Sequence, residues 1–233
     1  RRSNAEFRFS PRIESSRTIR KLSWTGGVAY VEDGSGRPES RDQEAEFAIE
    51  FENADRFAVA YLGAYELVPR PFRIASNVIV PVGSYTYDTA SLTYNTGPQR
   101  RITGNLRVDY GTFYSGHRTA LSATRGRLSF GPKLFAEPSY SVNWVDLAEG
   151  SFTTHLAGGR VTYTATSQMF ASALLQYNSD SNTVATNVRL RWEYRPGSEL
   201  FVVYNDERDT RARDFPALAT RSLIVKINRL VRF

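Results

Sequence analysis

Side chains around residues 184–195 sort by parity more cleanly than anywhere else in the chain. Val188, Leu190, Trp192 and Tyr194 occupy one parity, and Asn187, Arg189, Arg191, Glu193 and Arg195 the other. Successive side chains of a β-strand point to opposite faces, so this stretch predicts a strand with one apolar and one charged face. Arg195-Pro196-Gly197-Ser198 then turns the chain, and a second apolar strand follows over 200–204. The chain ends with Leu223, Val225, Ile227, Val231 and Phe233 on one parity against Lys226, Asn228 and Arg232, with Arg229 breaking the apolar row. The last strand is therefore expected to run to Phe233.

The same alternation recurs upstream. It is clear in Leu22, Trp24, Gly26, Val28 and Tyr30, in Ala45, Phe47, Ile49 and Phe51, and in Phe57, Val59 and Tyr61. It continues through Leu92 and Tyr94, Leu106, Val108 and Tyr110, Tyr140, Val142 and Trp144, Val161 and Tyr163, and Leu175 and Tyr177. Residues 117–130 alternate poorly. About twelve strands result, plus a strand fragment at 4–10. No helical period competes, so the chain is expected to be all-β, antiparallel and up-and-down. Residues 1–233 read as a single domain, with 1–17 a strand end and a turn.

The segments of about 12–14 residues are long for a soluble protein. Connections also alternate. Those near 53–55, 96–99, 131–133, 166–168 and 195–198 read as tight, whereas 31–40, 68–84, 146–151, 178–183 and 206–219 read as longer and polar, with a short one at 113–118. Short turns at one end and longer loops at the other are the pattern of an outer-membrane β-barrel, with the short turns and the C-terminus on the periplasmic side. The mean hydropathy of −0.41 and the lack of an apolar run near the roughly 18 residues of a membrane helix exclude helical spanning. They leave a barrel open, because only every second residue of a barrel strand meets lipid.

On that expectation the apolar parity faces lipid. Trp24, Tyr30, Tyr94, Tyr110, Trp144, Tyr163, Trp192, Tyr194 and Phe233 form aromatic girdles at the headgroup levels. The opposite parity lines the lumen. Its acids are Glu44, Glu46, Glu50, Asp109, Glu137 and Glu193. Its bases are Arg107, Arg125, Arg127, Arg160, Arg189, Arg191, Arg195 and Lys226. Such groups need either water or mutual pairing, since an unpaired charge in a dry interior is costly. Both readings, an open pore whose arginine side favours anions or sugar carboxylates and a filled, paired lumen, fit the sequence.

Lysine occurs only at 21, 133 and 226, so 27 of the 30 basic residues are arginine, a residue suited to crowded polar interiors. The net charge of +6 alternates with apolar residues along strands instead of clustering, which argues against nucleic acid as a partner. With no cysteine, disulfides and thiolate chemistry are absent.

The runs TNVRLRWEYRPGSELFVVYNDERDT (186–210), VNWVDLAEGSFTTHLAGGRVTYT (142–164) and RSLIVKINRLVRF at the end carry a resemblance. It is most specific from Trp192 to Ser198. The chain resembles the C-terminal barrel region of a family of uncharacterised Gram-negative outer-membrane proteins, in which a carbohydrate-binding-like β-sandwich precedes the barrel. The resemblance implies an outer-membrane location and a chain that supplies part of a larger barrel or a shortened one. It brings no reaction and no catalytic residue.

Candidate chemistry is sparse. His117 and His155 lie near expected strand ends, with Ser115 and Ser151 nearby, but no elbow motif marks a nucleophile. Residues 178–182 are oxygen-rich yet lack calcium-loop spacing, and Gly26, Gly27, Gly158 and Gly159 form no phosphate-binding pattern. No enzyme activity, metal or cofactor is expected. Three functions stand side by side: a passive channel or component of a transport or surface-glycan system, a non-conducting anchor for a sugar-binding domain or partner, and a soluble carbohydrate-binding β protein. The expected partners are outer-membrane lipid, a glycan or small solute, and the barrel-assembly machinery through the strand ending at Phe233.

Overall fold

The computed structural model describes residues 1–211 and 216–231, and of Arg125 the backbone alone. Among them the chain is all-β. Thirteen strands follow one another in a single antiparallel sheet order: β1 (Arg2–Phe9), β2 (Ile19–Glu32), β3 (Pro38–Phe51), β4 (Arg56–Val68), β7 (Gly83–Asn95), β8 (Ile102–Phe113), β9 (Gly116–Ser129), β10 (Leu134–Leu147), β11 (Gly150–Thr166), β12 (Met169–Asn178), β13 (Thr183–Arg195), β14 (Ser198–Asp209) and β15 (Ala217–Asn228). The expected dozen strands and the N-terminal fragment are all present. A separate hairpin, β5 (Phe72–Ala75) with β6 (Val78–Val80), occupies the segment expected to be the longest loop. By their contacts the residues group into two compact units: Arg1–Arg100 with Asn105–Ala123 and Val142–Thr153, and Arg101–Gly104 with Thr124–Ser141 and Thr154–Phe233.

The loop asymmetry is weaker than the sequence suggested. The stretches 113–118 and 146–151 reduce to two-residue turns, Tyr114-Ser115 and Ala148-Glu149. Polar side chains there continue the strands, because the ladder is made by backbone groups whatever the side chain. Residues 69–82 remain long, and part of the 206–219 connection lies outside the described residues. The final strand also differs, ending at Asn228 and not running on. Leu230 N–H donates to Ser198 Oγ at 3.1 Å, and the Leu230 side chain lies against the β13–β14 turn. That turn carries Gly197 at φ +75°, where a Cβ would sit 2.6 Å from Leu230 Cδ2. Arg232 and Phe233 lie outside the described residues.

In the first unit, register lines up whole rows of side chains. Phe9, Trp24, Phe47, Val59, Leu92 and Val108 are successive partners across β1, β2, β3, β4, β7 and β8. Phe9 stacks on Trp24 at 5.8 Å, and Trp24 meets Phe47 at 5.2 Å. The row one residue along is Ser23, Ala48, Ala58, Thr93 and Arg107, on the opposite face. Burial is inverted relative to hydropathy. Val59 is 41% and Leu92 50% exposed, whereas Ala48 and Ala58 are 1% and 2% exposed, and Ser23 and Ser91 are buried on their face.

The second unit has matching rows: Tyr163, Ala171, Leu190, Val202 and Val225, then Val161, Ala173, Val188, Tyr204 and Leu223. Tyr163, Val188, Leu223 and Val225 are all exposed. The opposite face mixes Arg189, Arg191 and Asn187 with Leu174, Phe201 and Val203. On β9 the exposed large apolar residue is Leu121, of odd parity, whereas the apolar parity expected there was the even one of Leu128.

The dry core is small and belongs to the first unit. Val78 of the hairpin clusters with Val145 and Leu147, flanked by Ile74, Ala75, Phe113, Tyr114 and Phe152, and Val80 is fully buried. Tyr85, Tyr87, Phe113, Val145, Leu147 and Phe152 all stand on the less exposed parity of their strands, so the hairpin packs on the face opposite the exposed apolar rows.

Candidate functional site

The less exposed face of the first unit carries the expected acids as paired groups. Glu50 holds Arg20 and Lys21, each at 3.1 Å, and Glu46 is bonded to Arg56. Arg107 Nε donates to both oxygens of Asp109 at 2.8 and 3.0 Å, while Ser91 accepts from Arg107 at 3.0 Å and donates to Asp109. The partners Arg20, Lys21, Arg56 and Ser91 escaped the sequence, because the register that brings them across strands is not visible in one strand's pattern. Half-exposed pairs such as these contribute about 0–1 kcal/mol each. Their larger effect is to let charges occupy a partly covered face. Glu44 differs. It lines a hollow of about 660 Å³ with Arg2, Glu6, Asp42, Thr25 and Gly27.

In the second unit, Arg191 donates from Nε to Glu199 at 2.9 Å and lies 6.0 Å from the Phe201 ring. Glu193 accepts from Gly197 N–H at 2.8 Å, so it braces the turn. Arg195 ends β13 opposite Ser198. Arg127 sits 4.3 Å over the Phe135 ring, and Glu137 is exposed on β10. Arg160 faces Leu174, Arg189 faces Ser172 and Val203, and Lys226 faces Phe201. These three cations are exposed and have no ion-pair partner among the described residues. The side chain of Arg125 lies outside the described residues.

The expected girdle residues Trp24, Tyr110, Trp144, Tyr163 and Trp192 are exposed on the apolar parity. Tyr30 is half-buried. Tyr194 donates to Asn228 O at 3.0 Å and meets Trp192 edge-on at 6.1 Å. Phe233 lies outside the described residues.

Tyr94 reaches the turn below it, where its hydroxyl donates to Asp55 at 2.7 Å. Asp55 is 2% exposed and also accepts from Gly97 N–H at 2.7 Å, from Asn53 at 3.0 Å and from both ends of the Arg100 fork. A side chain at 97 would collide with Asn53 O, 2.5 Å away, so glycine is required. The Gly97 amide first, then the Tyr94 hydroxyl and Arg100, hold the Asp55 carboxyl below the usual carboxylate range. A depressed folded value means stability that is present above the unfolded value of about 3.9 and lost as pH falls through the folded one. Asp55→Asn is expected to lower the melting temperature at neutral pH and to flatten its decline on acidification; an unchanged acid slope would refute the assignment.

Tyr114 is the hub of the hairpin's aromatic cluster. Phe113, Tyr85, Tyr87 and Phe72 meet its ring at 4.6, 5.1, 5.4 and 5.6 Å. Tyr114 takes φ +48°, an uncommon backbone for a bulky residue, at the two-residue turn before Gly116. Its hydroxyl donates to Glu66 at 3.4 Å, as does that of Tyr87 at 2.9 Å, and burial pushes the Tyr114 hydroxyl up. Sequence alternation gave no sign of this hub.

Among the described residues neither histidine ring is hydrogen-bonded to a serine or threonine hydroxyl, although His117 lines an open hollow of about 430 Å³ with Asp146 and Ser151. His117 stacks on Tyr110 at 6.2 Å, and His155 Nδ1 is hydrogen-bonded to Tyr140 at 2.8 Å. Ser115 is bonded to Glu149 and accepts from Ala148 N–H at 3.1 Å, tying two turns together. Asn182 spends its side-chain amide on Ser179 O and Asp180 O, so the oxygen-rich stretch is a turn that satisfies itself. Among the described residues no three His, Asp or Glu side chains gather where they could hold a metal ion. The chain matches no protein-family model, no curated protein and no solved structure.

Proposed function

We propose that the chain forms a membrane-spanning β-barrel of a bacterial outer membrane whose charged face lines a path for small, preferentially anionic solutes. The observation that carries this is the inverted burial. Rows of large apolar and aromatic side chains stand exposed, while alanine, serine and paired charges take the covered face. Water penalises such an arrangement and lipid rewards it, since only one face of a barrel strand needs to be apolar. The exposed cations Arg160, Arg189 and Lys226, on the face opposite the apolar rows, supply the anion preference.

Closure is part of the proposal. Thirteen strands, each antiparallel to its neighbours, begin and end in the same sense. Pairing β15 on β1 would therefore be parallel, and a barrel kept wholly antiparallel takes one further strand.

A second reading, a non-conducting anchor, is favoured by the dry cluster around Val78 and Val80, which covers part of the polar face. The test of the membrane reading is gel mobility in detergent with and without boiling. An unboiled band that runs fast and slows on boiling is expected. A chain that stays monomeric and folded without detergent would overturn it.

A further inference from the structure

One charged cluster breaks the apolar parity of the second unit. Asp206, Arg208 and Arg221 stand on the parity of Tyr204 and Leu223, not on the charged face. The strand row below them is Val188, Tyr204 and Leu223, and Leu218 beyond is exposed. The cluster thus closes the apolar band at its end nearest the 210–216 connection. Asp206 is 7% exposed and accepts from Arg208 Nε at 2.6 Å, Arg221 Nε at 3.0 Å and the Tyr204 hydroxyl at 3.1 Å. Arg208 is fully engaged, since its Nη2 also reaches Asp206 at 3.4 Å and its Nη1 donates to Pro216 O at 3.3 Å. Arg221 is not. Among the described residues its two Nη groups have no acceptor, and its side chain is 48% exposed.

We propose that the Arg221 guanidinium, held by Asp206 beside Arg208, is a docking point for the phosphate of a membrane lipid headgroup. One carboxylate between two guanidinium groups leaves a net positive charge. A guanidinium fork fixed through Nε presents two parallel N–H donors, the geometry that matches phosphate oxygens. The neighbouring exposed Leu218, Leu223 and Val225 offer the acyl chains an apolar surface on the same face. A soluble anion would make no use of that surface, which is why a lipid is the ligand assigned. The proposal rests on the membrane reading above.

The probes are phosphatidic acid, diacylglycerol and inorganic phosphate, titrated onto the whole chain in neutral maltoside micelles and read by native mass spectrometry. Phosphatidic acid is expected to be retained over diacylglycerol, and Arg221→Gln to weaken that retention by about tenfold or more, since the charge and the two-donor fork are both lost. Arg221→Lys, which keeps the charge without the fork, is expected to fall between the two and serves if the glutamine variant does not fold. Equal retention by wild type and Arg221→Gln would overturn the site. Inorganic phosphate binding as tightly as the lipid would overturn the lipid source. The membrane reading fails separately, by loss of the heat-modifiable band in wild type; a heat-modifiable protein with no preference for phosphatidic acid sinks the docking site alone.

Discussion

Leu190→Arg is expected to destabilise the protein in a lipid bilayer by about 2–4 kcal/mol, and Arg189→Leu, one residue away, by far less. Leu190 stands in the row of Tyr163, Ala171, Val202 and Val225. On the membrane reading an arginine there meets lipid with no acceptor, whereas Arg189 faces Ser172 and Val203 on the charged side. Urea unfolding in vesicles, followed by the fraction of fast-migrating band, measures both. If the apolar rows instead faced water, Leu190→Arg would be a surface change of about 0.5 kcal/mol or less. Similar losses for the two variants would refute the face assignment.

The second large effect concerns the β5–β6 hairpin. Replacing residues 69–82 by a short glycine-serine link is expected to raise single-channel conductance several-fold in planar bilayers, because it removes the cluster packed over the polar face. Val80→Asp tests the same point with one side chain. Val80 is fully buried, so an unpaired carboxylate there costs several kcal/mol and is relieved if the hairpin lifts away. Conductance equal to wild type in both variants would mean the hairpin obstructs nothing. Conductance absent in all three proteins would favour the anchor.

The strand inventory was legible because a period of two survives in every long segment but β9, down to the fragment that became β1. What stayed illegible has physical causes. Phe72, Ile74, Val78 and Val80 do alternate, but strands of four and three residues between Pro69, Pro71 and Pro81 look like a loop. Their order comes from packing on Val145 and Leu147, far along the chain. Ala148-Glu149 lies within 146–151, which reads as a longer connection because its residues are polar, and 113–118, read as short, tightens further to Tyr114-Ser115. The charged face was found through Glu46, Glu50, Arg107 and Asp109, but only register supplies Lys21 and Arg56. Asp206 and Arg208 fell inside a stretch expected to be loop, although they continue β14. Their charges hid the strand.

The up-and-down order also governs how the sheet can assemble. Each strand pairs with its neighbour in sequence, and several pairs are joined by only two residues, so most pairings close small loops with little entropy to overcome. The junction of β4 with β7 is the exception, since fourteen residues, 69–82, separate them. Chain statistics make that closure about 1.7 kcal/mol costlier than a two-residue one. Because the β5–β6 hairpin takes its order from Val145 and Leu147 of β10, it is expected to settle only after β4 and β7 have paired, and so to lock that junction instead of starting it.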